Sequence, residues 1–282
     1  MVVVSAMSGE TNRLIALAKL VVGRLPGGLL YVNVLACMMF GAIFLGTIAD
    51  RIGRRWAIVP AAGQGSRFGT ALPKQYAPLL GRPMLSWTLA ALLAEPGIDG
   101  IVVSLAKGDT RWQDLPEFSN PRVRRCTGGT RREHSVVNGL DALGGDARNT
   151  DWVLVHDAAR PCLCRRDLEL LFAMLDADAV GGLLAIPVSD TLKREVGDQR
   201  VGQTVARDGL WRALTPQMFR YGLLSRALRL CLERDRPVTD EASAIESLGL
   251  QPRLVRGSAG NVKVTSPDDA ALAEAILRSG QP

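Results

Sequence analysis

Short apolar runs alternate with longer stretches that repeat apolar residues at helical spacing along the chain from Trp56 onward. Continuous apolar runs rich in β-branched residues are typical of strands buried on both faces of a parallel sheet. Apolar residues spaced three and four apart indicate helices that cover such a sheet. The predicted strands are Trp56 to Pro60, Ile101 to Leu105, Trp152 to His156 and Val180 to Ile186, and the predicted helices are Pro83 to Ala94, Arg132 to Leu143 and Arg165 to Leu175.

This alternation predicts an α/β fold, a Rossmann-like and mostly parallel sheet with helices on both faces. In such sheets ligands bind beyond the carboxyl ends of the strands. Near the C-terminus, Ser266-Pro267-Asp268-Asp269 predicts the start of a helix, with an N-cap, a proline in the first turn and acidic residues beside the positive end of the helix dipole.

The stretch from Asp190 to Arg212 breaks the alternation, because two short β-prone runs with polar residues on both sides flank the turn Gly197-Asp198. We predict a projecting β-arm at about residues 190–212. A two-stranded hairpin buries little apolar surface by itself. We therefore expect the arm to pack on another subunit of a homodimer.

The N-terminal segment has a different character. Residues Leu25 to Ala49 contain no charged side chain and are long enough to cross a bilayer as a helix. Basic residues lie on both sides of this run, so its orientation in a membrane is undetermined. The stretch LPGGLLYVNVLACMMFGAI resembles the large membrane subunit of tripartite dicarboxylate transporters, and GTIADRIGRR resembles a loop motif of major-facilitator transporters. Residues 1–55 are thus either a membrane anchor or an extension without a part in the chemistry, and residues 56–282 form the second predicted domain.

Composition narrows the classes of function. Apolar residues make up 47% and charged residues 22% of the 282-residue chain, as in ordinary globular proteins. The net charge of +6 comes from arginines spread along the chain, which suits an anionic small molecule. No aromatic-basic alternation or familiar nucleic-acid module is present, so we expect no nucleic-acid partner. The five cysteines lack C-x-x-C spacing, which argues against a disulfide framework or structural zinc and favours the cytoplasm.

The stretch from Pro60 to Lys74, PAAGQGSRFGTALPK, directly follows the first predicted strand. Its three glycines permit a sharp turn and let backbone N–H groups approach phosphate oxygens. It is not the P-loop pattern, because Gly-Lys-Ser/Thr is missing. Arg67 and Lys74 add two cations to the glycine-rich turn, which indicates a triphosphate ligand.

The same stretch resembles the signature PAAGQGSRFG…PKQY of the 2-C-methyl-D-erythritol 4-phosphate cytidylyltransferases of the non-mevalonate isoprenoid pathway. The resemblance runs from Trp56 to the C-terminus, through motifs that occur in the same order. These motifs are GGTRREHSV (128–136), VHDAARP (155–161), PVSDTLK (187–193), LWRALTPQMF (210–219), TDEAS (239–243) and NVKVT (261–265).

The resemblance implies that the 4-phosphate of methylerythritol phosphate attacks the α-phosphorus of CTP, with Mg²⁺ as the divalent cation and pyrophosphate as the leaving group. It implies catalytic roles for Arg67, Lys74, Arg207 and Lys263. Two rival functions stay open from the residues. One is a cytidylyltransferase for another polyol phosphate such as ribitol 5-phosphate, and the other is a membrane-tethered nucleotide-binding protein without catalysis.

The implied binding residues fall into two groups. In the CTP group, Asp157 is expected to be the metal ligand, and the alternative role for Asp157 is to cap the next turn. Thr130 stands where some relatives are expected to have an aspartate. The full CTP set is Ala61, Ala62, Gly63, Gly65, Gly129, Thr130, Arg132, Ser135, Asp157 and Ala158. The acceptor set is Arg160, Thr191, Arg207, Thr215 and Lys263, of which Thr191 and Arg207 lie in the arm and are expected to come from the neighbouring subunit. The two histidines, His134 and His156, are expected to be structural.

Overall fold

The computed structural model describes residues 53–63 and 72–280. The chain divides into two units, Met1–Gly53 and Arg54–Pro282, and the description concerns the second unit. The predicted membrane segment 25–49, together with Gly65 and Arg67, lies outside the described residues. No helix within the described ranges combines the length and the apolar character that crossing a membrane requires.

A seven-stranded sheet forms the centre of the second unit, in the order β11-β7-β10-β6-β1-β4-β5. All its strands are parallel except β10, which pairs antiparallel with both β6 and β7. The four predicted strands are confirmed to within one residue at each end. The strands of this sheet are β1 (Arg55–Ala61), β4 (Gly100–Leu105), β5 (Val123–Thr127), β6 (Trp152–Val155), β7 (Gly181–Pro187), β10 (Trp211–Arg220) and β11 (Arg253–Arg256), and β2 (Pro78–Leu79) pairs with β3 (Arg82–Pro83) in a separate two-stranded sheet.

Helices cover both faces of the sheet, as predicted. Successive residues of β1 point to opposite faces, so Val59 joins the core cluster under α1 and α3, and Ile58 joins the cluster under α2, α4 and α5. The predicted cap of α6 is confirmed, since Ser266 Oγ accepts a hydrogen bond from Asp269 N while the Asp269 carboxylate accepts one from Ser266 N. The helices are α1 (Met84–Leu93), α2 (Arg132–Leu143), α3 (Arg165–Leu175), α4 (Tyr221–Glu233), α5 (Glu241–Glu246) and α6 (Pro267–Arg278).

The predicted hairpin is also present. Strands β8 (Leu192–Val196) and β9 (Arg200–Val205) form their own antiparallel two-stranded sheet. Their side chains are largely exposed, including Val196 at 58% and Val201 at 62%. Trp211 and Arg212, the last residues of the predicted arm, instead begin β10 and pair with β7.

Candidate active site

A cavity of about 240 Å³ opens where β1 and β6 end, at the carboxyl edge expected to bind ligands. Its walls come from the residues that follow these two strands, from the first turn of α2 and from two lysines distant in sequence. The described residues that line it are Pro60, Ala61, Ala62, Gly63, Lys74, Gln75, Gly129, Thr130, Arg131, Arg132, Ser135, Asp157, Ala158, Ala159 and Lys263.

Most of the predicted site residues therefore meet in one cavity. Arg160 and Thr215 lie directly behind Asp157, with Arg160 Nε 4.0 Å from the carboxylate and Thr215 Oγ1 3.1 Å from the Asp157 amide. Thr191 and Arg207 are exposed at the base of the hairpin and do not line the cavity, and Arg207 donates to Ser189 O. Gly65 and Arg67 lie outside the described residues, so their predicted roles are untested.

Lys74 opens a short 3-10 turn after the glycine-rich stretch. Its Nζ donates to Val264 O at 2.8 Å, next to Lys263. The buried Gln75 donates from Nε2 to Ala61 O at 2.7 Å and so fixes the end of β1 against this turn. The lysine expected on the triphosphate side is thereby joined to the segment that carries the lysine expected on the acceptor side.

Glycine is required at two positions of the loop between β5 and α2, because the loop approaches the residue after β1 at Gly128 and the first turn of α2 at Gly129. A Cβ on Gly128 would lie 2.4 Å from Ala62 Cβ, and one on Gly129 would lie 2.2 Å from His134 Cβ. Gly129 N donates to Ser135 Oγ at 3.0 Å. Ser135 is thus bonded to the loop backbone at the cavity wall.

Asp157 is the electrostatic centre of the cavity. Its Oδ1 accepts from Arg132 Nε at 3.1 Å, and its Oδ2 accepts from Lys263 Nζ at 2.8 Å. Burial raises the pKa of the Asp157 carboxyl, but the charges of Arg132 and Lys263 outweigh burial and hold that pKa well below its usual range. Asp157 is therefore ionised at neutral pH.

Arg132 links Asp157 to a second carboxylate. Its Nη1 and Nη2 donate to the two oxygens of Glu241 at 2.7 and 3.1 Å. Glu241 is completely buried at the start of α5. Burial raises the pKa of the Glu241 carboxyl, and the bidentate bond from Arg132 opposes that rise. The pKa of the Arg132 guanidinium is raised because both carboxylates stabilise its charge against burial.

A hydrogen-bonded chain fixes the backbone of Asp157. Thr215 Oγ1 accepts from Asp157 N and lies 3.0 Å from His156 Nδ1, while His156 Nε2 lies 3.1 Å from Arg160 O. A carbonyl oxygen only accepts, so Nε2 carries the proton and Nδ1 accepts from the Thr215 hydroxyl. Burial lowers the pKa of His156 to about 4, so the ring is neutral at pH 7. This arrangement agrees with the structural role expected for His156.

The loop that presents Lys263 is held on both sides. Asp167, on α3, accepts from Ser258 N with both carboxylate oxygens at 3.1 and 2.9 Å. The buried Asn261 donates from Nδ2 to Thr215 O at 2.7 Å. Val264 N donates to Ala159 O at 2.8 Å. Lys263 therefore projects from a fixed backbone, although its own side chain is 45% exposed.

The lining residues Pro60, Arg131 and Ala159 were not predicted as site residues. Three residues whose side-chain hydrogen bonds hold the site together were also not predicted, namely Gln75, Glu241 and Asn261. Gln75, Glu241 and Asn261 each lie inside a motif that the resemblance identified, namely PKQY, TDEAS and NVKVT. The motifs were therefore the available signal, but the partners of these side chains come from distant parts of the chain.

Asp157 is the residue of the cavity that suits a divalent cation. Across residues 53–63 and 72–280, no group of three or more His, Cys, Asp or Glu side chains is arranged to hold a metal ion. Mg²⁺ commonly binds through one or two carboxylates together with substrate phosphates and water. An ionised carboxylate at the cavity wall fits that mode, with the substrate completing the ligands.

Comparison with known proteins gives consistent results. A model of the IspD family, 2-C-methyl-D-erythritol 4-phosphate cytidylyltransferase, matches residues 56–279. The enzyme of that name from Dechloromonas aromatica (strain RCB) is 58% identical over 229 residues, which cover 80% of this chain and 98% of the relative. The crystal structure of the one from Francisella tularensis has a TM-score of 0.70 at 35% identity and covers 79% of this chain and 100% of that chain.

The N-terminal segment matches a different family. A model of the DctM component of the tripartite ATP-independent periplasmic transporters matches residues 1–62, so the predicted resemblance to a transporter membrane segment is confirmed. The match that extends from residue 56 to residue 279 includes all the described residues that line the cavity. On that match and on the identity to whole relatives, the chain belongs to the 2-C-methyl-D-erythritol 4-phosphate cytidylyltransferase family.

Proposed function

We propose that this chain transfers CMP from CTP to 2-C-methyl-D-erythritol 4-phosphate, giving 4-diphosphocytidyl-2-C-methyl-D-erythritol and pyrophosphate. The observation that carries the proposal is the meeting of Lys74, Asp157 and Lys263 around one cavity at the carboxyl edge of the sheet. Family membership supplies the substrate pair.

The reaction needs positioning more than proton transfer. A 4-phosphate oxygen of the acceptor attacks the α-phosphorus of CTP, a new P–O bond forms, and the bond from the α-phosphorus to the bridging oxygen breaks with its electrons leaving on pyrophosphate. The attacking phosphate is already anionic, so no base has to deprotonate it. Catalysis then depends on holding two polyanions in line and on stabilising the negative charge of the transition state.

The cations of the cavity suit the two polyanions. We assign Lys74 to the triphosphate, together with Arg67, and Lys263 to the phosphate of the acceptor. The Lys263 side chain lines the cavity and is 45% exposed, so an incoming anion can reach it even though Nζ contacts Asp157 Oδ2. The backbone at Ala61–Gly63 lines the cavity, and a Cβ on Gly63 would meet no atom within 4 Å, so the nucleotide has room to approach the main chain there. Thr130 and Ser135 line the same wall, where we place the cytosine.

Asp157 is the residue that we assign to Mg²⁺. The ion, when bound there, would neutralise part of the charge on the CTP phosphates. The chain's own contribution is an oriented, ionised carboxylate, held by Arg132 on one oxygen and by Lys263 on the other.

We also propose that the enzyme is a homodimer whose hairpins complete the neighbouring sites. Thr191 and Arg207 are predicted to bind the acceptor, yet they lie at the base of the exposed hairpin and outside the cavity lining. The apolar side chains of Val196 and Val201 are more than half exposed, which favours burial against another chain. Arg160 and Thr215, behind Asp157, complete the proposed acceptor set.

The cytoplasm is the compartment that we infer for the catalytic unit. The four cysteines within the described ranges are free: Cys126, Cys162, Cys164 and Cys231. Burial raises the pKa of the Cys162 thiol to about 11, so this thiol stays protonated and unreactive. Such cysteines fit a reducing compartment.

The test is an assay with purified protein, CTP, Mg²⁺ and a panel of polyol phosphates. We expect pyrophosphate release and a CDP-alcohol product with methylerythritol phosphate. With ribitol 5-phosphate, kcat/KM should be lower by at least about a hundredfold, which is within the roughly 10⁴- to 10⁵-fold discrimination that hydrogen-bond recognition of a substrate can reach. Preferred use of ribitol 5-phosphate would support the rival acceptor. Nucleotide binding without pyrophosphate release would overturn the proposed function.

A further inference from the structure

We propose that Glu241 is a positioning residue for this reaction: it holds the Arg132 guanidinium in the one orientation that orients the Asp157 carboxylate. The inference rests on the proposed function, because it concerns the same site. Glu241 neither lines the cavity nor is accessible to a ligand there, so it acts through Arg132.

The hydrogen bonds assign separate donors of Arg132 to separate carboxylates. Nη1 and Nη2 form a fork with Glu241 at 2.7 and 3.1 Å, which leaves Nε directed at Asp157 Oδ1 at 3.1 Å. A guanidinium is planar, so fixing two of its nitrogens on one carboxylate also fixes the direction of the third N–H. Asp157 Oδ2 is then available to Lys263 at 2.8 Å.

The helix turn that carries Glu241 is anchored by hydrogen bonds. It occupies the first turn of α5, where Asp240 caps the helix by accepting from Ser243 N at 2.9 Å. Gln217, on β10, accepts from Ala242 N at 2.7 Å and donates to Asp240 Oδ2 at 2.8 Å. These bonds join the start of α5 to the central sheet. Glu241 therefore projects from an anchored backbone, which suits it to orient a longer and more flexible partner such as arginine.

The four charges alternate in sign along the contacts, as Glu241, Arg132, Asp157 and Lys263. Without the Glu241 charge, the guanidinium would be free to turn toward the anionic substrate phosphates and away from Asp157. Asp157 would then lose a fixed donor on one oxygen, and its pairing with Lys263 would no longer be fixed on the other. The expected consequence is a misplaced carboxylate, which affects the transition state more than the initial binding of CTP.

The experiment compares the steady-state kinetics of Glu241→Gln with those of the wild type. The matched control is Glu246→Gln, which removes the same charge from an exposed position of the same helix. We expect Glu241→Gln to lower kcat by about ten- to a hundredfold, the usual cost of removing the partner that orients a ligand-binding group. KM for CTP should change by less than about threefold, because the interaction lost belongs to the transition state. Glu246→Gln should match the wild type in both constants.

A double-mutant cycle with Asp157→Asn separates positioning from a merely structural role. If Glu241 acts through Asp157, adding Glu241→Gln to Asp157→Asn lowers the residual kcat by less than about twofold, since coupled residues are not additive. An equal fold loss in both backgrounds, or a wild-type kcat for Glu241→Gln alone, overturns the inference.

Arg132→Lys, which keeps the charge but loses the fork, provides a second variant if Glu241→Gln does not fold. It should reproduce the loss of kcat, and a normal kcat would count against the inference. A wild-type enzyme that releases no pyrophosphate would instead refute the proposed function.

Discussion

At the scale of single residues, the role predicted for Lys74 is to stabilise the negative charge of the triphosphate, and a single substitution can test it. Its Nζ lies 2.8 Å from Val264 O at the cavity wall. We predict that Lys74→Ala lowers kcat by at least about a hundredfold, the scale for losing a donor that stabilises developing charge. Steady-state pyrophosphate release measures it.

The matched control for Lys74 is Lys107→Ala. Lys107 is exposed after β4 and does not line the cavity, so this variant removes the same charge without touching the site. Its kcat should equal that of the wild type. Near-normal turnover in Lys74→Ala would contradict the role assigned to this lysine.

His156 supports the site through stability rather than through chemistry, and this role is pH-dependent. Burial lowers the pKa of His156 to about 4, whereas the pKa of a histidine in an unfolded chain is about 6.5. Between these two values the unfolded chain binds the extra proton, so the free energy of unfolding falls as the pH falls. The depressed pKa of Asp157 acts in the same direction at lower pH.

We predict that the free energy of unfolding has a steeper pH dependence between pH 6.5 and 5 in the wild type than in His156→Asn. One buried neutral histidine contributes up to about 1.4 kcal/mol per pH unit in this window. Urea unfolding at several pH values measures the slope. His156→Asn should also be less stable at pH 7, because an amide cannot reproduce both hydrogen bonds of the ring. Equal slopes would show that His156 is not held neutral.

The residues that sequence alone could identify are those whose motif carries a known chemistry. Asp157 and Lys263 were predicted in this way and lie 2.8 Å apart in the structure. Glu241 could not be identified, because its role depends on a partner 109 positions away and on complete burial. No local pattern of polar and apolar positions encodes either property.

At the scale of elements, the strands predicted correctly are those buried on both faces. β4 and β6 are buried at every position, so β6 appears in the sequence as a continuous apolar run and β4 as a run interrupted only by Ser104. β5 was missed because it is an edge strand with exposed arginines, and β10 because Pro216 interrupts it. The register of β10 against β7 shifts between Ala213 and Gln217, and this irregularity accommodates the proline within the sheet.

The hairpin β8–β9 gives a prediction that belongs to the element scale. If the hairpin delivers Arg207 to the neighbouring site, each site takes Lys74 from one subunit and Arg207 from the other. Lys74→Ala and Arg207→Ala then remove residues that different subunits contribute to the same site. Mixing the two inactive variants under conditions that exchange subunits should restore activity, because half of the dimers are mixed and each mixed dimer contains one intact site. About a quarter of the wild-type kcat is expected for random exchange in a twofold dimer.

The control for this mixture is Lys74→Ala with Lys263→Ala, two residues that line the same cavity of one chain. Every site of that mixed dimer lacks one lysine, so no activity should return. Sedimentation of the wild type gives the oligomeric state independently. Failure of the first mixture to recover activity, despite confirmed subunit exchange, would place Arg207 in the site of its own chain or outside any site.

At the scale of the whole molecule, two matches to different families meet near the start of β1. The transporter match ends at residue 62 and the cytidylyltransferase match begins at residue 56. The Dechloromonas aromatica relative is covered over 98% of its length by only 80% of this chain. Nearly the whole length of this relative therefore aligns with about four fifths of this chain. That coverage is consistent with an N-terminal segment that takes no part in the chemistry.

We predict that a chain starting at Gly53 folds and retains the kcat of the full-length protein. The boundary is set by contacts that must be kept: Arg54 N donates to Asp151 Oδ1 at 3.1 Å, and Arg54 O accepts from Trp152 N at 2.8 Å. Arg55 Nη2 binds the Asp176 carboxylate at 2.7 Å. Thermal unfolding and pyrophosphate release measure the two properties on the same preparation.

A chain starting at Ala57 is the contrasting truncation. It removes Arg54, Arg55 and the buried Trp56, whose Nε1 donates to Asp151 Oδ2 at 3.2 Å, and it shortens the pairing of β1 with β6. Loss of a buried tryptophan alone costs about 3–5 kcal/mol. This shorter chain should therefore unfold at a clearly lower temperature than the one starting at Gly53. If the chain starting at Gly53 failed to fold or lost its turnover, residues 1–52 would be an integral part of the enzyme. The cytidylyltransferase match alone would then not define the functional unit.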